Sequence, residues 1–330
     1  MFSRLSQITR HLSAASPIRT PKRPAFSNAS GVARSIMASA DDRNSRTIHT
    51  AACLIIGDEV LGGKTVDTNS SYLAKWCFSL GINLRRVEVI EDVESEIIEA
   101  VRRLSDRYDF VVTSGGIGPT HDDITYESIA KAFNLPLVLH EQALERMKRL
   151  SKPRPSQPPF DWDTDSPALR ARLRMVIFPT DKTRDLDKQF IFPHDDLWVP
   201  VNVVNGNVHI LPGVPRLFER LLDGLKPVIL PRLTDPDGKG LIRVLVSTPL
   251  SESAAADFLT QLAAKVEPHG VKVGSYPRWQ QNGIVTLVGR NQEYIESIVP
   301  ELIEGVHGRR VTVEGEDDVP PEEEAKPSSD

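Results

Sequence analysis

Cysteines, aromatic residues and long apolar runs are all scarce in this 330-residue chain, and each scarcity closes a class of explanation. The two cysteines, Cys53 and Cys77, lie in an apolar stretch and a helical stretch, and no Cys-X-X-Cys or Cys/His cluster accompanies them. Neither a disulfide framework nor a zinc site is encoded, which leaves two buried, reduced thiols. His121, His194 and His209 have no ligand-like spacing, and no Ser-His-Asp order stands out. No apolar run approaches the ~20 residues that cross a bilayer, so no membrane partner is expected. Positive charge is also short where a nucleic acid would need it. The net charge of −5 divides into +6 over residues 1–46, −7 over 314–330 and about −4 over 47–313. The body therefore offers no broad basic surface, and no nucleic-acid partner is expected. What remains is a globular composition with room for two compact domains.

The first forty residues stand apart. Arg4, Arg10, Arg19, Lys22, Arg23 and Arg34 occur among eight serines with no acid before Asp41, and Phe2, Leu5, Ile8 and Leu12 share one helical face. This is the make-up of a mitochondrial transit peptide, so residues 1–46 are expected to be a leader or a disordered arm and the protein to reside in the matrix. Met37 opens MASADD; initiation there would give a cytosolic form.

From residue 47 strands and helices alternate. Thr47–Ile56 reads as a buried strand, 57–69 as a loop, Ser70–Gly81 as a helix stopped by its glycine, and INLRRVEVI as a strand. Glu94–Arg107 reads as a helix, Asp109–Thr113 as a strand and Ile124–Phe133 as a helix. This pattern predicts a parallel sheet covered on both faces, with ligands outside the carboxyl ends of its strands. Residues 151–170 look like a proline-rich excursion, and LWVPVNVV with NVHILPG reads as a hairpin turning at Asn205-Gly206. After a linker at 236–240 the order becomes β-α-β-β-α-β, the ferredoxin-like arrangement. The expected fold is thus a three-layer α/β domain over 47–235, a small ferredoxin-like α+β domain over 236–313 and an acidic, disordered tail over 314–330.

Two loops at strand ends carry the chemistry. In TSGGIGPTHDD, Gly115, Gly116 and Gly118 let the backbone approach a ligand closely, and the helix that follows favours negative charge. Asp122 and Asp123 would repel a phosphate unless a divalent metal lies between, held by carboxylate oxygens and holding the phosphate in turn. The other loop adds Asp58 and Glu59, with Asp67, Thr68 and Asn69 opening the next helix. Tight turns and helix caps would use the same residue types, so both uses stay open here. LPGVP, Leu211 to Pro215, is a rigid turn able to wall the same pocket.

GDEVLGGKTVDTNSSYLA, TSGGIGPTHDDITYESIA and LPGVP together resemble the molybdopterin-binding-like domain of MoaB and MogA proteins, and more closely its subgroup with CinA and the N-terminal part of animal FAD synthases. GSYPRWQQNGIVTLVG resembles the second domain of that subgroup. Molybdopterin-handling members carry Arg-Asp after the glycine loop, whereas this chain has THDD. The resemblance therefore implies metal-dependent hydrolysis of FAD or ADP-ribose. It does not imply FAD synthesis, since neither the reductase-like synthase domain nor a CinA-type amidase domain is recognisable. The implied phosphate surface is Gly57, Thr68, Asn69, Ser114, Gly115, Gly116, Gly118, Pro119, Thr120, Pro212 and Gly213. The implied metal ligands are Asp122, Asp123 and Asp58, and the candidate catalytic carboxylates are Asp58, Glu59 and Asp123. Mg²⁺, Mn²⁺ or Co²⁺ would serve, with a monovalent cation such as K⁺ as a further cofactor and a homodimer as the assembly. The rival readings are a pterin-nucleotide enzyme or binder of molybdenum cofactor assembly, and a nucleotide sensor without turnover.

Overall fold

A computed structural model of the chain describes residues 39–151, 160–237, 240–279 and 281–316. The basic segment to residue 38, the proline-rich 152–159 and the acidic segment from 317 lie outside the described residues, and with them the targeting and disordered-tail expectations.

The first part of the body runs α1 (Ala40–Ser45), β1 (Thr50–Ile56), α2 (Asp58–Leu61), α3 (Asn69–Ser79), β2 (Asn83–Ile90), α4 (Glu94–Arg107), β3 (Phe110–Ser114) and α5 (Thr125–Ala132). It continues with β4 (Leu137–Leu139), α6 (Glu141–Leu150), α7 (Pro167–Arg174), β5 (Ile177–Pro179), β6 (Phe190–Ile191), β7 (Val201–Val204), β8 (Val208–Leu211), α8 (Pro215–Gly224) and α9 (Lys226–Ile229). Six strands form the main sheet in the order β2-β1-β3-β8-β7-β6. The first four are mutually parallel, β7 runs against β8 and β6 against β7, so the expected parallel sheet has a mixed edge at the expected hairpin. The cause is local: Asn205 at φ 51° and Gly206 at φ 76° make a two-residue turn, which can join only antiparallel strands.

Ala51, Cys53 and Ile55 of β1 face Leu73, Trp76 and Cys77 of α3 and Leu221 of α8. Ala52, Leu54 and Ile56 face Ile97, Val101 and Leu104 of α4 and Ile129 of α5. Burial on both faces explains why β1 reads as an unbroken apolar run rather than an alternating one. The strand starts at Thr50 rather than Thr47, because the preceding residues bond elsewhere. Ile48 N donates to Arg232 O at 2.8 Å, and the His49 and Thr50 amides donate to Asp109 Oδ2 at 3.1 and 2.9 Å.

Residues 40–45, within the stretch expected to be a leader or disordered arm, form a helix. Ser39 and Asp42 cap α1 reciprocally, and Arg43 donates to Ser105 O at 2.9 Å and pairs with Asp106 at 3.1 Å. A Cβ at Gly206 would stand 1.9 Å from Ala40 O, so α1 lies flush on the β7–β8 turn.

The second part has β9 (Ile242–Thr248), α10 (Glu252–Val266), β10 (Lys272–Tyr276), β11 (Gly283–Gly289), α11 (Gln292–Gly305) and β12 (Arg309–Val311). Its antiparallel sheet, ordered β10-β11-β9-β12, has the topology expected for the ferredoxin-like arrangement. Leu241 N donates to Phe78 O at 3.1 Å and Arg290 donates to Gly81 O, joining this part to the end of α3. Among the described residues no helix is long and apolar enough to cross a membrane.

His209, buried in β8 with its ring 4.4 Å from Phe110, makes the fold sensitive to acid. Burial first, and the Arg232 charge second, lower its pKa from 6.5 to about 3. Above the unfolded value the ring is neutral in both states and pH has no effect through it. Below that value only the unfolded chain takes the proton, so stability falls by about 1.4 kcal/mol per pH unit between about pH 6 and 4. His209→Gln should remove that component. Urea midpoints at pH 7 and pH 5 will show it as a smaller loss in the variant than in the parent.

Candidate active site

Because β3 lies between β1 and β8 in the sheet, the carboxyl ends of these three strands meet. β1 runs into Gly57, β3 into Gly115-Gly116 and β8 into Pro212-Gly213. This is the edge at which open α/β sheets bind ligands.

The glycines are there for contact as well as exposure. Gly115 has φ 109°, and a Cβ on it would stand 2.0 Å from Ile56 O. Gly116 has φ 63°, and its Cβ would meet Thr125 Oγ1 at 2.3 Å. At Gly213 a Cβ would come within 3.3 Å of Gly115 Cα. The three loops are thus packed backbone against backbone. Asn69, at the start of α3, ties them: its Nδ2 donates to Ser114 Oγ and to Gly213 O, both at 2.9 Å, while its buried Oδ1 has no partner. Thr125 Oγ1 donates to Gly115 O at 3.0 Å. A narrow cleft of about 60 Å³ opens among them, lined by Glu59, Asp67, Thr68, Asn69, Ser114 and Gly213.

The carboxylates divide by role. Asp67 accepts from Ser70 N at 3.0 Å and from the Ser70 hydroxyl, so it is a capping residue at α3, while Thr68 makes no side-chain cap bond. Asp123 turns back into its own loop. Its Oδ1 accepts from Gly118 N at 2.6 Å, and its Oδ2 from Thr120 N at 2.8 Å and Thr120 Oγ1 at 2.6 Å. It caps nothing; α5 begins after Ile124 without a side-chain bond. Asp122 and His121 are exposed, and Pro119 and Lys64 lie on the outer surface of their loops. The 57–69 segment is not wholly loop, since Asp58 and Glu59 start the one-turn helix α2. A Cβ on Gly57 would lie 2.7 Å from Glu59 Oε2, so the Glu59 carboxylate folds back over the end of β1. The expected set of Asp58, Asp122 and Asp123 is not gathered into a cage. Among the described residues no group of three or more His, Cys, Asp or Glu is arranged to hold a metal ion by itself.

Two residues that matter here have no sequence signature. Asp92 follows β2 and exchanges bonds with Asp58: Asp58 N donates to Asp92 Oδ2 at 3.0 Å and Asp92 N to Asp58 Oδ1 at 3.3 Å. A Cβ on Gly116 would be 3.4 Å from Asp92 Oδ1, which places this carboxylate beside the glycine turn. Burial raises its pKa, and the charges of Asp58, Glu59 and Asp122 raise it further. Arg174, at the end of α7, donates to Thr120 O at 2.9 Å and to Asp123 O at 3.0 Å, and meets Glu127 at 3.3 Å. It clamps the glycine loop from outside. Arg174→Ala should speed hydrogen exchange at the Gly118 and Thr120 amides about tenfold, the loss expected for charge-assisted bonds. Unchanged exchange there would show that the loop holds itself.

Residues 52–234 match the family model described as "Probable molybdopterin binding domain", and residues 241–316 match "FAD synthase, middle domain". A relative named "Probable FAD synthase" from Caenorhabditis elegans is 33% identical over 79% of this chain and 51% of its own length. A CinA-like protein from Anaeromyxobacter dehalogenans is 29% identical over 81% of this chain and 62% of its own. The chain thus spans half to two-thirds of the length of these relatives. The crystal structure of CinA from Thermoplasma acidophilum aligns with 31% identity and a TM-score of 0.44, covering 55% of this chain and 98% of that one. With a family model matched over more than half its length, the chain belongs to the molybdopterin-binding domain family, among homologues of the FAD synthase and CinA-like kind.

Proposed function

We propose that this chain is a metal-dependent nucleotide pyrophosphatase, cleaving FAD to FMN and AMP or ADP-ribose to ribose phosphate and AMP. Its FAD synthase-like relatives and second domain support an enzyme of nucleotide chemistry acting on FAD. The observation that carries the finer reading is the bonded pair of Asp58 and Asp92 beside the glycine turn, with the charges of Glu59 and Asp122 acting on Asp92. Burial raises the Asp92 pKa first, and its like-charged neighbours raise it further, with no cation among the causes. A pyrophosphate alone would add to that negative charge, and a divalent cation beside it would offset it.

The donor chemistry fits Mg²⁺, Mn²⁺ or Co²⁺. Mg²⁺-type ions commonly use one or two carboxylates and complete their shell with water and substrate phosphates, so a site with fewer than three protein ligands is suited to them. Asp58 and Asp92 would hold the ion, with the Asp122 charge nearby. When bound, it polarises phosphorus and lowers the pKa of a coordinated water toward neutrality.

The remaining work falls to the chain. The Gly116 and Ile117 amides donate to no protein acceptor among the described residues, unlike those of Gly118 and Thr120, so they are available to phosphate oxygens. Asn69 holds Ser114 and Gly213 in register across the cleft. Glu59, which lines it, is the carboxylate placed to take a proton from water. Asp123, fully engaged with the loop, serves as a positioning residue rather than the base. The test is chromatography of FAD and ADP-ribose after incubation with the chain and each metal, beside an Asp58→Asn variant. Metal-dependent AMP, lost in the variant, supports the reading. Tight pterin binding with intact FAD would move it to a pterin-nucleotide protein.

A further inference from the structure

We propose that the seam between the two domains is a second ligand site, for a nucleoside monophosphate, separate from the glycine-loop site and independent of the hydrolytic reading. A cavity of about 620 Å³ lies there, its walls shared between Phe78 and Asn83 of the first domain and β9, β10 and β11 of the second. That volume is in the range of small-molecule and cofactor pockets.

The reason for the cavity is the way the second sheet is covered. α10 and α11 pack on one face through Val244, Val246, Val285 and Leu287. The residues alternating with these face the other way. In the register of the sheet, Arg243 of β9 pairs with Val288 of β11, and Val288 with Lys272 of β10. Two cations thus bracket an apolar residue in one cross-strand row, two strand spacings or about 10 Å apart. Arg290 also lines the cavity, and no carboxylate does so among the described residues. Arg243, Lys272 and Arg290 have no carboxylate in ion-pair distance among the described residues either. Such a cavity selects an anion.

Flat surfaces accompany the charge. Two residues along, in the next row on the same face, Gly274 pairs with Thr286, and a Cβ at Gly274 would stand 2.9 Å from the Tyr276 ring. Tyr276 is 54% exposed as a residue and lines the cavity. The Arg243 guanidinium lies 4.5 Å from the Phe78 ring centroid, a planar cation held in place by a planar ring. A ligand with an aromatic base and a phosphate answers both features, where inorganic phosphate would answer one. The site is distinct from the glycine turn. Asn83 at the start of β2 lines the cavity, whereas Ile90 at the other end of that strand bonds to Gly57, so β2 separates them by about 23 Å.

Equilibrium dialysis of AMP, adenosine and inorganic phosphate against the full chain in EDTA tests the assignment, because chelation leaves the metal-dependent site silent. AMP should bind at least tenfold more tightly than adenosine or phosphate. Lys272→Glu, an exposed substitution, should weaken AMP binding tenfold or more, leaving the melting temperature and FAD turnover unchanged, and Asp92→Asn should not affect AMP binding. Absence of AMP binding, binding indifferent to Lys272→Glu, or binding lost in Asp92→Asn would each overturn the proposal. Failure of FAD cleavage would leave it standing.

Discussion

Asp92→Asn should lower the rate of FAD or ADP-ribose cleavage by about 100-fold or more, the scale on which loss of a group that stabilises transition-state charge is felt, and should leave the fold at least as stable. Asparagine retains an oxygen to accept the Asp58 amide, a bond of 3.0 Å in the parent. What it removes is the charge. The Asp92 carboxyl has its pKa raised in the folded state by burial and by three like charges, so between the unfolded and folded values the native state binds the proton more tightly. Stability through this group is therefore higher at low pH and declines as pH rises, and a neutral isostere escapes that decline. A thermal melt at pH 7 and a turnover assay with Mg²⁺ or Mn²⁺ separate the two effects. A variant that is equally active would remove Asp92 from the site; one that is inactive but unfolded would show a structural role only.

Gly115→Ala is the second large effect, and it falls on stability. The new Cβ would sit 2.0 Å from the backbone oxygen of Ile56, in a residue at φ 109°. No flexible side chain can yield, since the obstructing atom is backbone at the carboxyl end of an inner strand. A loss of about 3–5 kcal/mol is expected from backbone strain and displacement of β1 from β3. Gly63 provides the control. It has φ 70° with nothing within 4 Å of a Cβ, so Gly63→Ala should cost only about 1 kcal/mol. Urea unfolding of both variants decides it: equal, small losses would mean that the β1–β3 contact is looser than described.

The strand and helix framework was legible because its signals are local. The apolar stripe of Ile97, Val101 and Leu104, the stop at Gly81 and the Asn205-Gly206 turn each specify an element within a few residues. The glycine loop could be placed at the ligand edge for the same reason. The direction of a side chain inside that loop could not. Asp123, a metal ligand in the expectation, accepts three bonds from residues three to five positions before it, a local turn that adjacent aspartates permit but do not announce. Asp92 and Arg174 were missed for another reason. Asp92 comes to Asp58 only because β1 and β2 pair in parallel, and Arg174 reaches the loop across 51 residues of chain. Helix α1 was hidden by its composition, since its two acids sit at the end of a basic, serine-rich run.

The most direct test of the central claim is mass spectrometry of FAD, with ADP-ribose in parallel, incubated with the full chain and Mg²⁺, Mn²⁺ or Co²⁺ in ¹⁸O-labelled water. Hydrolysis of the pyrophosphate predicts FMN and AMP in equal amounts, one product carrying a single ¹⁸O, and neither formed in EDTA. Intact FAD and intact ADP-ribose with every metal, from protein that melts cooperatively, would contradict the account.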